Sequence, residues 1–531
     1  MIHRKVDVKG CECCVRKVRG WLENFEGVMD KQGAPDQTPF SICVFFFPTQ
    51  SFPMLQTCPT NYSITAVLLI GCLALSGCDI GGSDGPSPET FTVEIENVGA
   101  ATPVLKSGAF TTPVGGDGPA PIKDGDSYEI TFTAGPNEIP NSGMRLSFAT
   151  MFIQSNDLYY AFEPSGLSLF DEDGTPIGQN GAVDVTSQIN LYDAGTEGDQ
   201  SPGSGADQAP RQSRLNVGPD GEGTVTEVTD TDGDGRLEDD GFSYPATQDV
   251  IEVAVESTSD SDSGGYEFTL TITNVGATVN DAPIPLSPGS YAVHWDQTPS
   301  GDDVTYLGHA PGEEAGSGIE AIAEDGRPAG ALPPDTRTPA GNHVQALRDV
   351  TGVTVPLSPG AYAVHSSDLS FYEMGNEASV GIESIAEDGR PGEMRSMLRN
   401  LNGVKRADVF NTPGSAEEPG PLAPGNSYSF SVEAVPGDRL SLATMYIQSN
   451  DLFFAFPPQG IALYDANDQP VSGNVTDQVM LYDAGTEGDQ EPGVGLDQAP
   501  RQSGLDTGPS GEGTITAVDG DDDGFRYPAA N

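Results

Sequence analysis

Arg145–Phe162 reads RLSFATMFIQSNDLYYAF, and Arg439–Phe456 repeats this stretch as RLSLATMYIQSNDLFFAF. Two more segments recur after each copy. They are INLYDAGTEGDQ at Ile189–Gln200, which returns as VMLYDAGTEGDQ at Val479–Gln490, and DQAPRQS at Asp207–Ser213, which returns at Asp497–Ser503. The copies lie roughly 290 residues apart, a period far longer than that of a solenoid repeat, so the sequence predicts two whole domains.

Acidic residues dominate the charge of the chain. Its 531 residues include 79 Asp+Glu against 24 Lys+Arg, which gives a formal net charge of −55. Gly (66) and Pro (43) are abundant and apolar residues make up 36%, a profile typical of short strands joined by turns. So acidic a surface repels nucleic acid and anionic lipid headgroups and suits divalent cations. Solubility alone is the other explanation for many of these carboxylates.

Apolar and polar residues alternate along much of the chain, which is typical of strands with one buried face. The clearest segments are residues 91–95, 128–132, 251–255, 268–272 and 428–432. Turn sequences rich in Gly, Pro, Asp and Asn separate them. Short helices are expected only at Ile319–Glu324, Ile382–Glu387 and Glu393–Leu401. The predicted fold class is all-β, with two tandem antiparallel β-sandwiches.

The repeat sets the expected domain limits. We expect the first sandwich at residues 89–257 and the second at residues 265–531, with the Ser/Asp/Gly run between them as a linker. The second contains a smaller duplication, because residues 285–328 and 356–391 share the motifs PLSPG-[SA]-YAVH and IAEDGRP. One copy is expected to be an inserted hairpin and helix that the first domain lacks.

The two domains end differently. Domain 1 continues from Gly241–Pro245 into the strand pattern of Val250–Glu256, whereas domain 2 stops at Asn531, shortly after the matching Gly524–Pro528. By this comparison the last strand of domain 2 is missing. Two explanations stay open: a truncated reading frame, or a sheet edge that pairs with another chain.

The residues before the first domain are interpreted as export segments. Residues 1–53 are expected to be an upstream extension from a start codon placed too early, and residues 54–77 a signal peptide with the apolar run Ala66–Ser76. The run ends in LSGC, which resembles the lipobox of bacterial lipoproteins. We therefore expect lipidation at Cys78, a flexible tether over residues 78–88, and a lipid-anchored location in the cell envelope, at the cell surface or outside the cell. All seven Cys lie at or before Cys78, so no disulfide is expected in the mature chain.

Three linked motifs of domain 2 carry a family resemblance: QSNDLF at Gln448–Phe453, LYDAGTE at Leu481–Glu487 and DQAP at Asp497–Pro500. His365, Phe371, GNEAS at Gly375–Ser379 and Ala386–Glu387 add to it. Together they resemble the spondin N-terminal domain of F-spondin-type matrix proteins and exported bacterial proteins. The resemblance covers most of domain 2 and, without the helix region, most of domain 1. It implies a C2-like eight-stranded sandwich that binds Ca²⁺ through acidic residues of the S-x-D and D-A-G-T-[DE] motifs.

Transferred to this chain, the resemblance names six metal ligands. They are Asp157, Asp193 and Glu197 in domain 1, and Asp451, Asp483 and Glu487 in domain 2. Calcium takes six to eight oxygen ligands, and Asp199 and Asp489 are near enough in sequence to join. The alternative interpretation is that Asp157 and Asp451 are turn residues that bond their own backbone.

A second acidic pattern, D-x-D-x-D-G, recurs at Asp230–Gly235 and Asp519–Gly524. This spacing opens an EF-hand loop. The twelfth position, a bidentate Glu in an EF-hand, is Gly241 in one copy and Ala530 in the other. Solvated acidic turns and weak calcium loops both stay open.

Enzyme motifs are not found in the sequence, which has no H-E-x-x-H, G-x-S-x-G or P-loop pattern. His294 and His365 lie in matching YAVH strands and are expected to be structural. We therefore predict a non-enzymatic, calcium-binding adhesion protein that binds extracellular matrix, a polysaccharide or a protein. It would contact the membrane only through its lipid anchor and would not bind nucleic acid. The alternatives are a secreted glycan hydrolase and a ligand-free structural envelope protein.

Overall fold

The computed structural model describes residues 42–48, 87–136, 143–296, 310–316, 318–328, 343–414, 416–522 and 524–527, with only the backbone described for 42–48. The expected signal peptide at 54–77, the lipidation site Cys78 and most of the tether lie outside these residues. Within the described part, no helix is long and apolar enough to span a membrane.

Strands make up most of the regular structure. In chain order they are β1 Ile42–Pro48, β2 Glu89–Asn97, β3 Val104–Phe110, β4 Ser127–Ala134, β5 Met144–Phe152, β6 Leu158–Phe162, β7 Leu167–Ser168, β8 Val183–Asp184, β9 Ile189–Asp193, β10 Thr226–Val228, β11 Leu237–Asp239, β12 Phe242–Tyr244, β13 Ile251–Asp260, β14 Gly265–Asn274, β15 Thr278–Val279, β16 Ala282–Pro283, β17 Leu286–Trp295, β18 Gly360–Ser366, β19 Val404–Phe410, β20 Ser427–Ala434, β21 Asp438–Met445, β22 Leu452–Ala455, β23 Ile461–Ala462, β24 Gly473–Asn474, β25 Met480–Asp483, β26 Thr516–Ala517, β27 Asp521–Asp522 and β28 Phe525–Arg526.

The described helices are short. They are α1 Thr247–Val250, α2 Ile319–Asp325, α3 His343–Arg348, α4 Val380–Ala386 and α5 Gly392–Arg399, with 3₁₀ turns at Thr186–Gln188 and Thr476–Gln478. Three of the α-helices agree with the sequence prediction, and α1 and α3 were not predicted.

Sandwich 1 is built from two antiparallel sheets. One has the order β10-β9-β6-β5-β17-β3, and the other has the order β4-β14-β13-β8. From Phe268 to Asn274 in β14 every second residue is buried, as the alternation predicts, because successive side chains of a strand point to opposite faces. The buried side chains meet between the sheets in one core that includes Phe148, Phe268 and Trp295. The predicted all-β antiparallel sandwich fold is confirmed.

Sandwich 2 repeats this plan. Its sheets have the orders β19-β18-β21-β22-β25-β26 and β20-β2-β1-β24. Phe91, Val93 and Ile95 of β2 are buried in the same core as Phe410 and Tyr428. The N-terminal strand Glu89–Asn97 therefore belongs to the sandwich that contains the second repeat.

The predicted limits of the two domains need correction. Residues 89–97 were expected in the first sandwich, but β2 pairs with β20 from Glu89↔Ala434 to Glu96↔Ser427. In the other direction, β14 pairs with β4 and β17 pairs with β3 and β5. Residues 265–295 thus complete sandwich 1, and Ser257–Gly265 is part of the β13–β14 hairpin rather than an interdomain linker.

The sequence explains why β2 belongs to sandwich 2 and β14 to sandwich 1. FTVEIENVGA at 91–100 and FTLTITNVGA at 268–277 are two copies of one strand, so either can fill the same position of a sandwich. The Asn in each copy hydrogen-bonds to backbone carbonyl oxygens of other segments of the same sandwich. The Asn97 amide donates to Val355 O at 2.9 Å, and the Asn274 amide donates to Ile284 O at 2.7 Å.

The smaller duplication is also explained by the assignment of strands: each of its two copies belongs to a different sandwich. Residues 285–328 are not an insertion that the first sandwich lacks, because β17 lies in the centre of its sheet. Helix α2 packs on the outer face of that sheet, where its Ile319 and Ile322 are buried in one cluster with Tyr159 and Tyr192. Helices α4 and α5 cover the matching face of sandwich 2.

The final strand that domain 2 was expected to lack has a counterpart in the fold. In sandwich 1 its position is held by β13, between β14 and β8. In sandwich 2, β1 holds this position and pairs with β2 from Ile42↔Asn97 to Pro48↔Phe91 and with β24. This strand comes from residues 1–53, the stretch interpreted as an upstream extension.

Candidate metal centre

The acidic residues named from the sequence lie where two adjacent strands begin and end. Asp157 directly precedes β6 and Asp193 ends β9, and Leu158 and Asp193 are Cα partners across these strands. In sandwich 2, Leu452 and Asp483 are paired in the same way. Strand pairing therefore brings two segments of the repeat, separated in sequence, to one corner of each sandwich.

Asp157 is held by the loop that follows Asp193. Its Oδ2 accepts hydrogen bonds from Thr196 N at 2.7 Å, Glu197 N at 2.8 Å and Thr196 Oγ1 at 3.2 Å. The local turn before β6 is made instead by Ser155, whose Oγ accepts from Leu158 N at 3.0 Å. The structure thus does not support the alternative in which Asp157 bonds its own turn.

The loop after Asp193 needs a glycine. Gly195 has φ of 66°, in the left-handed region that residues with a side chain rarely adopt. A Cβ there would lie 2.3 Å from Thr224 O. Gly195 N donates to Asp193 Oδ1 at 2.7 Å, so this loop fixes one oxygen of each of the two aspartates.

The other oxygen of Asp157 has no such support. Asp157 is fully buried, and its Oδ1 has no hydrogen-bond partner. Oδ1 of Asp199 and Oδ2 of Asp239 are also buried without a partner. Unsatisfied buried carboxylate oxygens cost free energy unless a cation or donor meets them.

Carboxylates crowd around Asp193. Burial, followed by the charges of Asp157, Asp239 and Asp199, raises the pKa of Asp193 to about 10. Burial also raises the pKa of Asp157 to about 6, against the opposing effect of its backbone hydrogen bonds, and that of Asp199 to about 7. A cation among these groups would lower the raised pKa values, since it stabilises the ionised carboxylates.

Glu197 lies beside this group rather than within it. Its backbone N–H binds Asp157, but its Oε2 accepts from Asn156 Nδ2 at 3.3 Å. The carboxylate faces Gly218, where a Cβ would lie 2.6 Å from it. Glu324 of helix α2 is a neighbour, and burial and then the charge of Glu197 raise its pKa to about 9. Of the three ligands expected in sandwich 1, the structure brings the carboxylates of Asp157 and Asp193 together.

Two acids of this corner were not named from the sequence: Asp239 within the centre, and Glu324 beside Glu197. Asp239 ends β11, and Glu324 comes from the IAEDGRP motif of the element that was expected to be missing from domain 1. Asp199, named as a neighbour in sequence, does join, and the Tyr244 hydroxyl donates to its Oδ2 at 3.3 Å. The Glu of IAEDGRP recurs in both copies as Glu324 and Glu387, which was the available signal.

Sandwich 2 reproduces the centre. Asp451 Oδ2 accepts from Thr486 N at 2.6 Å and Glu487 N at 2.9 Å, and Gly485 N donates to Asp483 Oδ1 at 2.6 Å. Oδ1 of Asp451 is buried without a partner. Burial and then Asp451 raise the pKa of Asp483 to about 9. The candidate ligand atoms in both sandwiches are carboxylate oxygens, the hard ligand type that Ca²⁺ prefers, so the residues present fit this ion.

The D-x-D-x-D-G loop of sandwich 1 is exposed. Asp230, Asp232, Asp234 and Glu238 each offer a carboxylate oxygen within 4.8 Å of the others. Local backbone donors already bind these side chains: Gly233 N and Gly235 N donate to Asp230 at 2.6 and 3.0 Å. Such bonds are those of an acidic turn. Asp523 of the second loop lies outside the described residues.

The two histidines of the YAVH strands are buried and serve the structure. The ring of His294 lies 2.9 Å from Ser147 Oγ and 2.8 Å from Trp295 O, and His365 has the equivalent contacts with Ser441 and Ser366. Burial lowers the pKa of His294 to about 4. Neutral, hydrogen-bonded rings agree with the structural role that the sequence predicts.

No protein-family model matches the chain, and a search of curated proteins finds no match. The similarity to the spondin N-terminal domain therefore rests on the motifs themselves.

Proposed function

We propose that this protein is a calcium-dependent binding module of two sandwiches, exported and lipid-anchored, that acts in adhesion to matrix, polysaccharide or protein. One observation carries the metal part of the proposal. In both sandwiches the same Asp, 157 or 451, has one oxygen bound by backbone donors and the other buried without a partner. A geometry held in this way before an ion arrives is expected of a binding site.

Calcium suits the site better than other common ions. The candidate ligands are carboxylates from several loops, and Ca²⁺ accepts six to eight oxygens in flexible arrangements, whereas Mg²⁺ demands a near-ideal octahedron. Cys and His, which Zn²⁺ prefers, do not take part in the described centres. The net charge of −55 further favours a divalent cation over any anionic ligand.

Calcium would contribute to stability as well as to binding. Extracellular calcium modules bind with dissociation constants of ~10⁻⁴–10⁻³ M. An excess of ~100-fold over the dissociation constant stabilises the folded state by ~2.7 kcal/mol. Because the carboxylates lie in buried corners, we assign them to an ion rather than to a polysaccharide chain. The adhesive surface would then be formed by loops that the ion holds in place.

Thermal unfolding of the full chain tests the proposal. The midpoint should rise with excess Ca²⁺ over calcium-free buffer, and rise much less with Mg²⁺. Asp483→Asn should abolish the calcium response of sandwich 2. Glu433→Gln, which removes the charge of an exposed acid in a strand of the same sandwich, should leave the response unchanged. An equal midpoint with and without calcium would refute the metal centre. Screening of glycans and matrix proteins in calcium, with a hydrolysis assay alongside, then tests the adhesive role.

A further inference from the structure

A second group of acids lies next to the metal centre of sandwich 2. Glu383, Glu387 and Asp506 each offer one carboxylate oxygen, and these oxygens lie within 4.8 Å of one another. Ligands of one calcium ion sit 2.3–2.6 Å from it, so two of them can lie up to roughly 5 Å apart. The separation within the group is therefore that of ligands to a single ion.

Helix α4 and one loop place these residues. Glu383 and Glu387 are four residues apart in and directly after α4, and so lie on one face of it. Ser379 caps this helix by accepting from Ile382 N at 3.3 Å. The loop that carries Asp506 is tied to the same segment by Gln502, whose Nε2 donates to Asp388 Oδ1 at 3.0 Å.

A buried carboxylate oxygen without a partner points to a ligand here. Glu487 is 4% exposed. Its Oε2 accepts from Asn450 Nδ2 at 3.5 Å, whereas its Oε1 has no hydrogen-bond partner. After burial, the charge of Glu387 is the main cause that raises the pKa of Glu487, to about 9. Glu387 is itself only 2% exposed. A Cβ at Gly508, two residues after Asp506, would lie 2.7 Å from Glu487 Oε2, so this carboxylate lies against the loop that carries Asp506. Exposed Asp506 leaves the outer end of the group open to solvent.

The geometry points to a second divalent-cation site in sandwich 2, formed by Glu383, Glu387, Glu487 and Asp506, beside the centre at Asp451 and Asp483. It rests on the proposed function, in which this corner of the sandwich binds calcium, and adds a second ion to it. Glu487, which the sequence assigns to the first ion, is a ligand of the second.

Sandwich 1 differs at one position of the group. Glu320, Glu324 and Glu197 match Glu383, Glu387 and Glu487, but Asn216 stands where sandwich 2 has Asp506. The backbone is alike, with φ of 47° at Asn216 and 52° at Asp506. Asn216 Nδ2 donates to Glu320 Oε1, so an amide donor takes the place of a ligand oxygen. The second ion is therefore assigned to sandwich 2.

Calcium stoichiometry tests this inference. Equilibrium dialysis of the full chain with radioactive Ca²⁺ should show one ion fewer per chain for Asp506→Asn than for the wild type. Asn tolerates a positive φ as well as Asp does, so the variant should fold. Asp468→Asn is the matched control, because Asp468 is also exposed and has φ of 58°; it should bind as many ions as the wild type.

The reverse change supplies a second test. Asn216→Asp should add one ion per chain by building the group in sandwich 1. Unchanged stoichiometry in Asp506→Asn would overturn the second site, whatever happens at the first. Asp451→Asn, measured in parallel, reports on the proposed function: if it alone keeps the wild-type count, the first centre fails while the second stands.

Discussion

Asn97 Nδ2 donates a hydrogen bond of 2.9 Å to the carbonyl oxygen of Leu422, although 325 residues separate the two. The same amide donates to Val355 O at 2.9 Å, and Asn97 Oδ1 accepts from Gly99 N at 3.0 Å. One buried side chain thus ties the first strand of the chain to two distant segments of sandwich 2. The sandwich that contains the second repeat depends on residues that precede the first.

Asn97→Ala should destabilise sandwich 2 and spare sandwich 1. The change removes the donor of the buried Val355 O and one of the two donors of Leu422 O, which keeps its bond from Leu357 N, at a cost of about 1–3 kcal/mol. Hydrogen exchange monitored by mass spectrometry should show faster exchange in β20 and β21 and unchanged exchange in β4 and β5. Asn274→Ala is the matched variant and should reverse the pattern. Equal effects on both sandwiches would contradict the assignment of β2 to sandwich 2.

A chain that begins at residue 79 should lose protection along β2. Without β1, the amides of β2 that face it have no strand partner, so residues 92–97 should exchange faster than in the full chain. The amides of β14 are the internal control, because β13 still covers them. A copy of Asp249–Glu256 appended to the C-terminus should restore protection and raise the melting temperature. Unchanged exchange in the shortened chain would show that β1 does not stabilise this edge.

Calcium should stabilise the protein more at pH 8 than at pH 5. Burial and neighbouring acids raise the pKa of Asp193 to about 10 and of Asp483 to about 9, whereas an unfolded Asp ionises near ~4. Between these values the folded chain binds more protons, so its unfolding free energy falls as the pH rises. Calcium replaces those protons, so the unfolding free energy no longer falls as the pH rises. Calorimetry at the two pH values, with and without calcium, measures the difference; a calcium-induced shift that is no larger at pH 8 would contradict it.

Gly485→Ala should disable the centre of sandwich 2. Gly485 has φ of 67°, and a Cβ would lie 2.5 Å from Thr514 O, so the loop that holds Asp483 and Asp451 must move. The positive φ alone costs about 1–3 kcal/mol, and calcium titration should show at least one ion lost. Gly437→Ala separates the two causes, since Gly437 has φ of 92° but no atom within 4 Å of its Cβ. It should lower stability and leave calcium binding intact.

The sequence by itself determined the local structure and much of the chemistry. Alternation along residues 128–132 and 268–272 predicted strands with one buried face, because the pleat repeats every two residues. The resemblance that the SND and DAGTE motifs carry named Asp157 and Asp193 as ligands of one ion, and strand pairing brings the two residues together. These signals lie within a few residues and can be read without the fold.

Only the tertiary structure decided which strand completes which sandwich. Residues 91–95 and 268–272 have the same alternating pattern. The partner of a strand depends on non-local packing at a sheet edge, which the pattern does not determine. The proximity of Glu197 and Glu487 to the helix acids Glu324 and Glu387, whose charges they feel, was decided in the same way. A side chain's neighbours depend on elements that approach from elsewhere in the chain, and it is their packing that separates one acidic group from the next.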